Sequence, residues 1–457
     1  MQRPGSSLDE MPQLSGSIPS SLSYGVESSA GLPGRRSLIN YASENAGTFG
    51  PSNNIVRIPV SAQPGFLDLK EARLAFDLTC GTVASALDGG AHCIIQRLRV
   101  LSVTGLELER IESYNLIHTI FEQYGINQDE ALQLATLSGA PKAPFGISGY
   151  LQSSADALKI SELRHFEIRL RNGWFNPTLG KLLPPQIGFT LELTLGPTAS
   201  CLNAATSSDY TATNFYLKIP SVLVDDQGFM DRVRMLQQRG SEWNATTYKL
   251  YTATLGPNTN QQTMQISDRS YSLAAFIGCL RLQANVNLVS AYKNSQRSIQ
   301  YLSSYQFTIG SQLYPPTQIN SSPGTIVAGG TAAGKDIGGV DFSSSTPMNI
   351  SQAFAEVKRV FGMEKGIITA NAYWGSEVLN TGTEAGTNGC GIFAVDCKSY
   401  HNDRRTTSGI DTASQAVPIT LNISLNGAAN ANVQCDIFAM CDVKFVMMPG
   451  GEIRSMV

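Results

Sequence analysis

The sequence predicts an all-β protein with two halves, each a β-sandwich or jelly roll with short helices in its loops. Short segments of alternating apolar and polar residues recur between turn signals, which is typical of these folds. The strand pattern stops at a helical segment after residue 228 and then starts again. A chain of 457 residues is also long enough for two domains.

The first half begins after a stretch of low complexity. Residues 1–52 are rich in Ser, Gly and Pro and show little periodicity, which predicts a flexible N-terminal arm. The first jelly roll is predicted to span residues 53–228. Its clearest strand is 187–195, where alternate apolar residues share one face. Its other strands are predicted at 55–60, 66–80, 92–103, 164–171 and 215–224, with a helical stretch inside 106–124.

The second half begins after a predicted helical linker at residues 229–247, where Met230 and Val233 lie on one side of a helix. The second jelly roll is predicted at residues 248–457. Its best-marked strand opens the segment 301–319, in which apolar and polar residues alternate before Gly310. The prolines that follow are expected to end the strand pairing, because proline lacks the amide donor of a sheet ladder.

A long loop and a helix come after this strand. Residues 320–347 are almost all Gly, Ser, Thr and Ala, which predicts a loop. Residues 350–361 carry an apolar stripe at helical spacing, with Ser351 as the expected N-cap and Gly362 as the expected end. The closing strands of this half are predicted at 391–395, 417–425 and 435–448.

The chain carries few charges for its size. Its formal net charge is -3, and charged residues make up 15% of it, whereas average soluble domains have roughly 25%. A Gly- and Ser-rich chain of this kind suits a protein whose surface is covered by copies of itself. No specific nucleic-acid binding is expected without a basic arm. Because no signal peptide or transmembrane stretch is evident, we expect synthesis in the cytosol or nucleus.

The sequence offers no motif that predicts catalysis, a cofactor or a metal. Residues 329–336 nearly match a phosphate-binding loop, but Asp336 stands where the Mg²⁺-binding Ser or Thr is required. The eight cysteines form no CxxC pair and are predicted to be buried, reduced thiols. The four histidines, predicted to be packed or surface imidazoles, are His92, His118, His165 and His401. We therefore predict no catalytic, cofactor-binding or metal site, and a protein that is not an enzyme.

Short motifs along the chain occur in an order that resembles one family of virus proteins. They are a corner at 66–69 (FLDL), a helix entry at 111–114 (IESY), a strand at 305–315 (YQFTIGSQLYP) and a turn at 408–411 (SGID) before the strand 417–425. In this order they resemble the double jelly-roll major capsid proteins of polinton-like viruses and related small eukaryotic DNA viruses. The resemblance covers about residues 53–450.

This resemblance implies a structural protein of an icosahedral virus shell. Two eight-stranded rolls would stand side by side, and the chains would form pseudo-hexagonal homotrimers. The partners would be copies of the same chain, neighbouring trimers, and penton and minor capsid proteins. The protein would reside in the capsid of the virion, after synthesis in the host cytoplasm or nucleus.

Two other classes of protein share the strand pattern. A β-sandwich carbohydrate-binding or adhesin-like protein would be secreted and would expose an aromatic platform. A β-rich hydrolase would need a catalytic constellation, and the sequence shows none. The mass of the native particle in solution separates the first of these from a capsid protein.

Overall fold

The computed structural model describes residues 34–45, 47–80, 86–127, 130, 133, 137–139, 163–178, 180–203, 209–256, 261–289, 293–295, 297, 302–320, 351–362, 391–399, 408–414, 417–425, 432–448 and 451–457. Within these ranges, no helix has the length and apolar character needed to cross a bilayer.

The first half contains two facing antiparallel sheets. One sheet has the strand order β1-β12-β5-β9, with β2 and β4 also paired to β12, and the other has the order β3-β10-β7-β8. A small additional sheet pairs β11 with β6. The strands are β1 (Gly34–Ala42), β2 (Thr48–Phe49), β3 (Ile55–Val60), β4 (Phe66–Leu67), β5 (Arg73–Cys80), β6 (Ala86–Leu87), β7 (Ile95–Ser102), β8 (Glu107–Glu112), β9 (Arg164–Arg169), β10 (Phe189–Leu195), β11 (Leu202–Asn203) and β12 (Tyr210–Val224).

The second half repeats this plan. Its sheets have the orders β13-β20-β15-β18 and β14-β19-β16-β17, with β21 also paired to β20. Phe276 of one sheet stacks on Phe307 of the other with ring centroids 4.7 Å apart, which places the core between the sheets. The strands are β13 (Ser241–Leu255), β14 (Gln261–Ile266), β15 (Leu273–Leu282), β16 (Leu302–Ile309), β17 (Gln312–Asn320), β18 (Phe393–Asp396), β19 (Ile419–Leu425), β20 (Val433–Met447) and β21 (Ile453–Met456).

The two halves have the same strand connectivity. When the long strands of each half are numbered along the chain, both halves contain one sheet in the order 1-8-3-6 and one in the order 2-7-4-5. This arrangement is the eight-stranded jelly roll, in which two Greek keys wrap around one core. The prediction of two jelly rolls with short helices in their loops is therefore confirmed.

The helices lie in the connections between strands. Those whose bounds fall within the described residues are α1 (Tyr114–Tyr124), α2 (Thr198–Cys201), α3 (Gln227–Arg239), α4 (Gln283–Val286) and α5 (Ser351–Phe361), together with two 3₁₀ helices, Leu69–Glu71 and Ala91–Ile94. Asp226 caps α3, because its side chain accepts a hydrogen bond from the amide of Phe229 at 3.0 Å. Gly362 ends α5 with a positive φ of 103°, as the sequence predicts.

The predicted N-terminal arm is wrong for part of its length, and residues 1–33 of it lie outside the described residues. Residues 34–42 form β1, which pairs with β12 from Gly34 opposite Val224 to Ala42 opposite Tyr216. The strand lies at the edge of its sheet, and most of its side chains are exposed. Its stability therefore comes mainly from main-chain pairing, which leaves no apolar alternation in the sequence.

The predicted linker at 229–247 is also wrong in its second part. Helix α3 begins at Gln227 and ends at Arg239, and Gly240 then adopts a φ of 89° that only glycine tolerates well. The chain passes directly into β13 at Ser241, so residues 241–247 belong to the second roll. Trp243 and Ala245 are buried, so alternate residues of this part of β13 face the core. The polar residues around them hide this alternation in the sequence.

The prolines of the segment 301–319 do not end strand pairing, contrary to the sequence prediction. A tight turn at Gly310, whose φ is 62°, leads from β16 into β17, which includes both Pro315 and Pro316. Strand β17 is the edge strand of its sheet, and its register shifts between the pairs formed by Tyr305 and Phe307. Both prolines lie in this irregularity, where residues 315–318 have no ladder partner on β16, and the pairing resumes at Ile319 opposite Tyr305.

Candidate functional site at the contact between the two halves

The two jelly rolls meet across a buried contact that includes a tryptophan-centred cluster. Trp174 follows β9 in the first roll and is fully buried. Its ring packs edge-on against Phe189 of its own roll and against Phe445 of the second roll, with centroids 5.3 and 5.1 Å away. Trp243 of β13 lies 5.8 Å from the same ring. The turn at residues 173–177 (GWFNP) is therefore a core element shared by both rolls.

A buried carboxylate holds this turn in place. Glu109 of β8 accepts hydrogen bonds from the amides of Gly173 at 2.8 Å and Trp174 at 2.9 Å, and from the side chain of Asn172 at 2.6 Å. A Cβ on Gly173 would lie 2.8 Å from the carbonyl oxygen of Thr246 in the second roll. Burial raises the pKa of Glu109, and the bonds from these amides oppose that rise. The turn thus approaches β13 as closely as a backbone without a side chain allows.

A second carboxylate joins the rolls directly. Asp88 of the first roll accepts hydrogen bonds from three consecutive amides of the second half, those of Lys293 (2.8 Å), Asn294 (2.7 Å) and Ser295 (3.0 Å). The Ser295 hydroxyl donates to Asp88 as well, at 2.6 Å. In return, the Lys293 ammonium donates to the Leu202 carbonyl of the first roll at 2.7 Å. Successive amides around one carboxylate form an anion-binding nest that fixes the two rolls relative to each other.

Helix α1 provides the third part of the contact. Phe121 packs against Tyr248 of β13 at 5.0 Å and against Phe361 of α5 at 5.4 Å, and Tyr124 lies 5.8 Å from Phe361. The side-chain amide of Gln123 donates to the Ser295 carbonyl at 3.3 Å. The helix predicted inside 106–124 is therefore part of the first roll in the sequence, but in the folded chain it lies at the boundary between the two rolls.

The structure places three histidines in two different settings. His165 on β9 is about half exposed, with its Nδ1 2.7 Å from Asp77 and its Nε2 3.5 Å from Glu167. His92 and His118 are buried, with ring centroids 4.1 Å apart. Both also face the carboxylate of Glu122. No spacing in the sequence links the three histidines, and only the folded chain brings His92 to α1.

The cysteines occupy the cores of the rolls. The seven described cysteines, all except Cys390, are buried and none of them forms a disulfide. Burial raises the pKa of each thiol, for example to about 12 for Cys80 and for Cys279. Raised thiol pKa values make these residues poor nucleophiles and poor metal ligands. They behave as the buried, reduced thiols that the sequence predicts.

Other features that the sequence raised lie outside the described residues. These are the loop at 329–336 that resembles a phosphate-binding loop, and His401. Within the described ranges, an open groove of about 1000 Å³ lies over the first sheet. Residues of both signs line it, including Arg36, Arg73 and Glu71. Mixed charge without a nucleophile and base in contact gives this groove no catalytic arrangement.

Comparisons with known proteins agree with the strand topology. No protein-family model matches the chain, and no curated protein matches it. Among solved structures, the PBCV-1 virus capsid aligns with a TM-score of 0.59 and 10% identity, covering 92% of this chain and 97% of that one. The mavirus major capsid protein aligns with a TM-score of 0.54 and 9% identity, covering 100% and 95%.

The Faustovirus major capsid protein also aligns, with a TM-score of 0.54 and 8% identity over 90% of both chains. Each likeness extends over nearly the full length of both chains, so it includes both jelly rolls and the helix between them. Together with the repeated strand order, these alignments show that the chain has the double jelly-roll fold of viral major capsid proteins.

Proposed function

We propose that this protein is the major capsid protein of an icosahedral virus and forms the bulk of its shell. The observation that carries the proposal is the repeated jelly roll, which aligns over nine-tenths or more of its length with capsid proteins. The chain would reside in the virion after synthesis in the host cytoplasm or nucleus. The finer likeness to polinton-like viruses stays a prediction.

The building block would be a homotrimer. Two rolls of equal topology in each chain would give a trimer six similar units around its axis, which suits a hexagonal lattice. The buried contact around Trp174 and Asp88 supports this arrangement, because it makes each chain one block that can act as a rigid tile. Low charge fits a surface that other copies cover, since obligate interfaces are more apolar and bury roughly 2,000–5,000 Å².

The further partners would be neighbouring trimers, penton proteins and minor capsid proteins. We also propose that the chain is divided into two domains by α3 and has no catalytic activity of its own. In the described residues no sheet contains strands from both sides of α3, which supports the division. An assay for nucleotide hydrolysis tests the lack of activity, and hydrolysis that disappears in Lys335→Ala would contradict it.

The native mass of the purified protein tests the capsid proposal. We expect light scattering to give a trimer or a larger shell, and negative-stain micrographs to show hexagonal or icosahedral particles. A stable, monodisperse species of 49.1 kDa at micromolar concentration would overturn the proposal. Such a monomer that bound immobilised glycans would favour a carbohydrate-binding or adhesin-like protein instead.

A further inference from the structure

Three lone-pair donors converge inside the first roll. His92 comes from the 3₁₀ helix Ala91–Ile94, and His118 and Glu122 come from α1. Their side chains are no more than 5% exposed. His92 Nδ1 lies 3.7 Å from Glu122 Oε2, and His118 Nδ1 lies 3.6 Å from Glu122 Oε1. Both distances are too long for a hydrogen bond.

The surrounding hydrogen bonds direct both Nδ1 lone pairs into the cluster. The Thr119 hydroxyl donates its one proton to the Asn115 carbonyl, so it can only accept from His92 Nε2, which is 2.8 Å away. His118 Nε2 lies 3.0 Å from the carbonyl oxygen of Arg169, which can also only accept. Each neutral ring therefore carries its proton on Nε2, and its Nδ1 is a bare acceptor.

The inward-facing atoms make no hydrogen bonds. In the described part of the chain, His92 Nδ1, His118 Nδ1 and Glu122 Oε2 are buried without a hydrogen-bond partner, and Arg171 Nε and Nη2, which are also buried and unpaired, bond to none of them. Buried polar atoms are almost always paired, so three unpaired acceptors at one point favour a shared positive partner. We propose that His92, His118 and Glu122 bind a divalent transition-metal ion of the Zn²⁺ class.

The geometry fits such an ion. Ligands in a tetrahedral zinc site lie about 3.4 Å apart, given metal–ligand distances of about 2.1 Å. The two histidine nitrogens lie 3.7 and 3.6 Å from different oxygens of Glu122, and the ligand atoms of the three residues all lie within 4.8 Å of one another, so metal binding draws them closer together. A Cβ on Gly90 would lie 3.1 Å from His92 Nδ1, so this glycine keeps the space beside that ligand atom clear.

The hydrogen bonds on the outer ring nitrogens fit as well. Histidines that bind metals usually donate their other N–H group to a carbonyl, a carboxylate or a water, which orients the ring and fixes its tautomer. Here the Arg169 carbonyl accepts the Nε2–H bond of His118, and the Thr119 hydroxyl accepts that of His92. These partners are the second part of a built site, and no residue outside the first roll is needed to form it.

The local charges are compatible with a cation. The hydrogen bonds that place a proton on Nε2 of each ring leave both rings neutral with a free Nδ1, which is the state that metal binding requires. The nearby guanidinium of Arg171 would repel a metal ion. However, Glu130 Oε1 lies 3.7 Å from Arg171 Nη2 and 3.3 Å from Arg169 Nη1, so this carboxylate offsets part of the charge of the two arginines.

The consequence is structural and does not depend on the proposed function. The metal would fasten α1 to the 3₁₀ helix Ala91–Ile94 of the first roll. The same helix carries Phe121 and Gln123, which contact the second half. The ion would therefore hold α1 in the position from which it contacts the second roll.

The metal content of the full-length protein tests the proposal. The chain is expressed with added ZnSO₄, separated from free metal by gel filtration, and analysed by inductively coupled plasma mass spectrometry. We expect one zinc ion per chain in the wild type and in His165→Ala, the matched control with an exposed histidine. We expect none in His118→Ala or Glu122→Gln. Titration of Zn²⁺ into chelator-treated Thr119→Val should show about 10–100-fold weaker binding than the wild type.

Several results would overturn the proposal. One is a wild type that retains no zinc, and another is zinc that persists in both ligand variants and is therefore adventitious. If the variants do not fold, the wild type still decides the question. Chelator-treated wild type should gain the visible absorption bands of tetrahedral Co²⁺ when CoCl₂ is added, and zinc should raise its melting temperature. A purely octahedral spectrum with no change in melting temperature would contradict a built site.

Discussion

Asp88→Asn should weaken the contact between the two rolls. One carboxylate oxygen of Asp88 accepts bonds from the amides of Lys293 and Asn294, and the other accepts two bonds from Ser295, at distances of 2.6–3.0 Å. An asparagine keeps one acceptor oxygen, but its NH₂ group would point at two donors. Hydrogen bonds to a charged group contribute about 1.5–3 kcal/mol each, so the loss of two predicts a decrease of about 3–6 kcal/mol in the free energy of unfolding.

Tryptophan fluorescence during urea unfolding measures this loss at a fixed protein concentration. Trp174 and Trp243 both lie in the contact between the rolls, so their emission reports its opening. Asp225→Asn is the matched control, because the Asp225 carboxylate pairs at the surface with Arg35, and such pairs contribute about 0–1 kcal/mol. A midpoint for Asp88→Asn equal to that of the control would refute the view that the nest of amides holds the rolls together.

Three further predictions concern the interiors of the rolls. Burial raises the pKa of Glu192, but its two arginine partners outweigh burial, so the pKa in the folded protein lies below the usual 4.5. The ionised carboxylate therefore stabilises the fold above about pH 4.5. This stabilisation is lost as the pH falls through the pKa of the folded state. The midpoint difference between the wild type and Glu192→Gln in urea should thus be largest at neutral pH and shrink near pH 3, and a difference independent of pH would contradict this. Gly278→Ala should destabilise the fold by about 1–3 kcal/mol or more, because the new Cβ would lie 2.2 Å from the ring of Phe393. Its melting temperature and soluble yield should therefore be lower than those of the wild type. Gly47→Ala, where the new Cβ would have open space around it, should match the wild type. In a thiol-labelling assay of the native protein, the seven buried cysteines should react only after unfolding, and rapid labelling of several thiols without denaturant would show that the cores are open.

The sequence predicts the strands whose side chains alternate between core and solvent. Strand β10 lies inside the predicted segment 187–195, and β19 inside 417–425. The main errors fall on the first strand of each roll, β1 entirely and β13 in its first half. Both are edge strands, and β1 buries few side chains. Such strands are defined by hydrogen bonds to a partner about 190 residues away, and these bonds depend little on side-chain type.

The contact between the rolls was less accessible from the sequence. Asp88 and Glu109 have no neighbouring motif, because their partners are backbone amides in distant turns. A carboxylate that accepts amide bonds is therefore indistinguishable in sequence from a solvated one. His118 and Glu122 do show a usable signal, since their i,i+4 spacing places both on one face of a helix. The missing ligand, His92, reaches them through a 3₁₀ turn that no periodicity marks.

The pairing of β1 with β12 also governs the order in which the protein can be assembled during synthesis. The first sheet closes only when Val224, the partner of Gly34, has left the ribosome. Trp174 must then wait for Phe445, and at ~5–20 residues per second this interval is on the order of 10–45 s. Until then the finished first roll lacks the Phe445 ring that covers Trp174, and until residues 293–295 are made it also lacks the amides that pair with Asp88. Nascent chains on one polysome could meet through this surface, so we expect chaperone binding to peak after residue 224 and end with the last long strand.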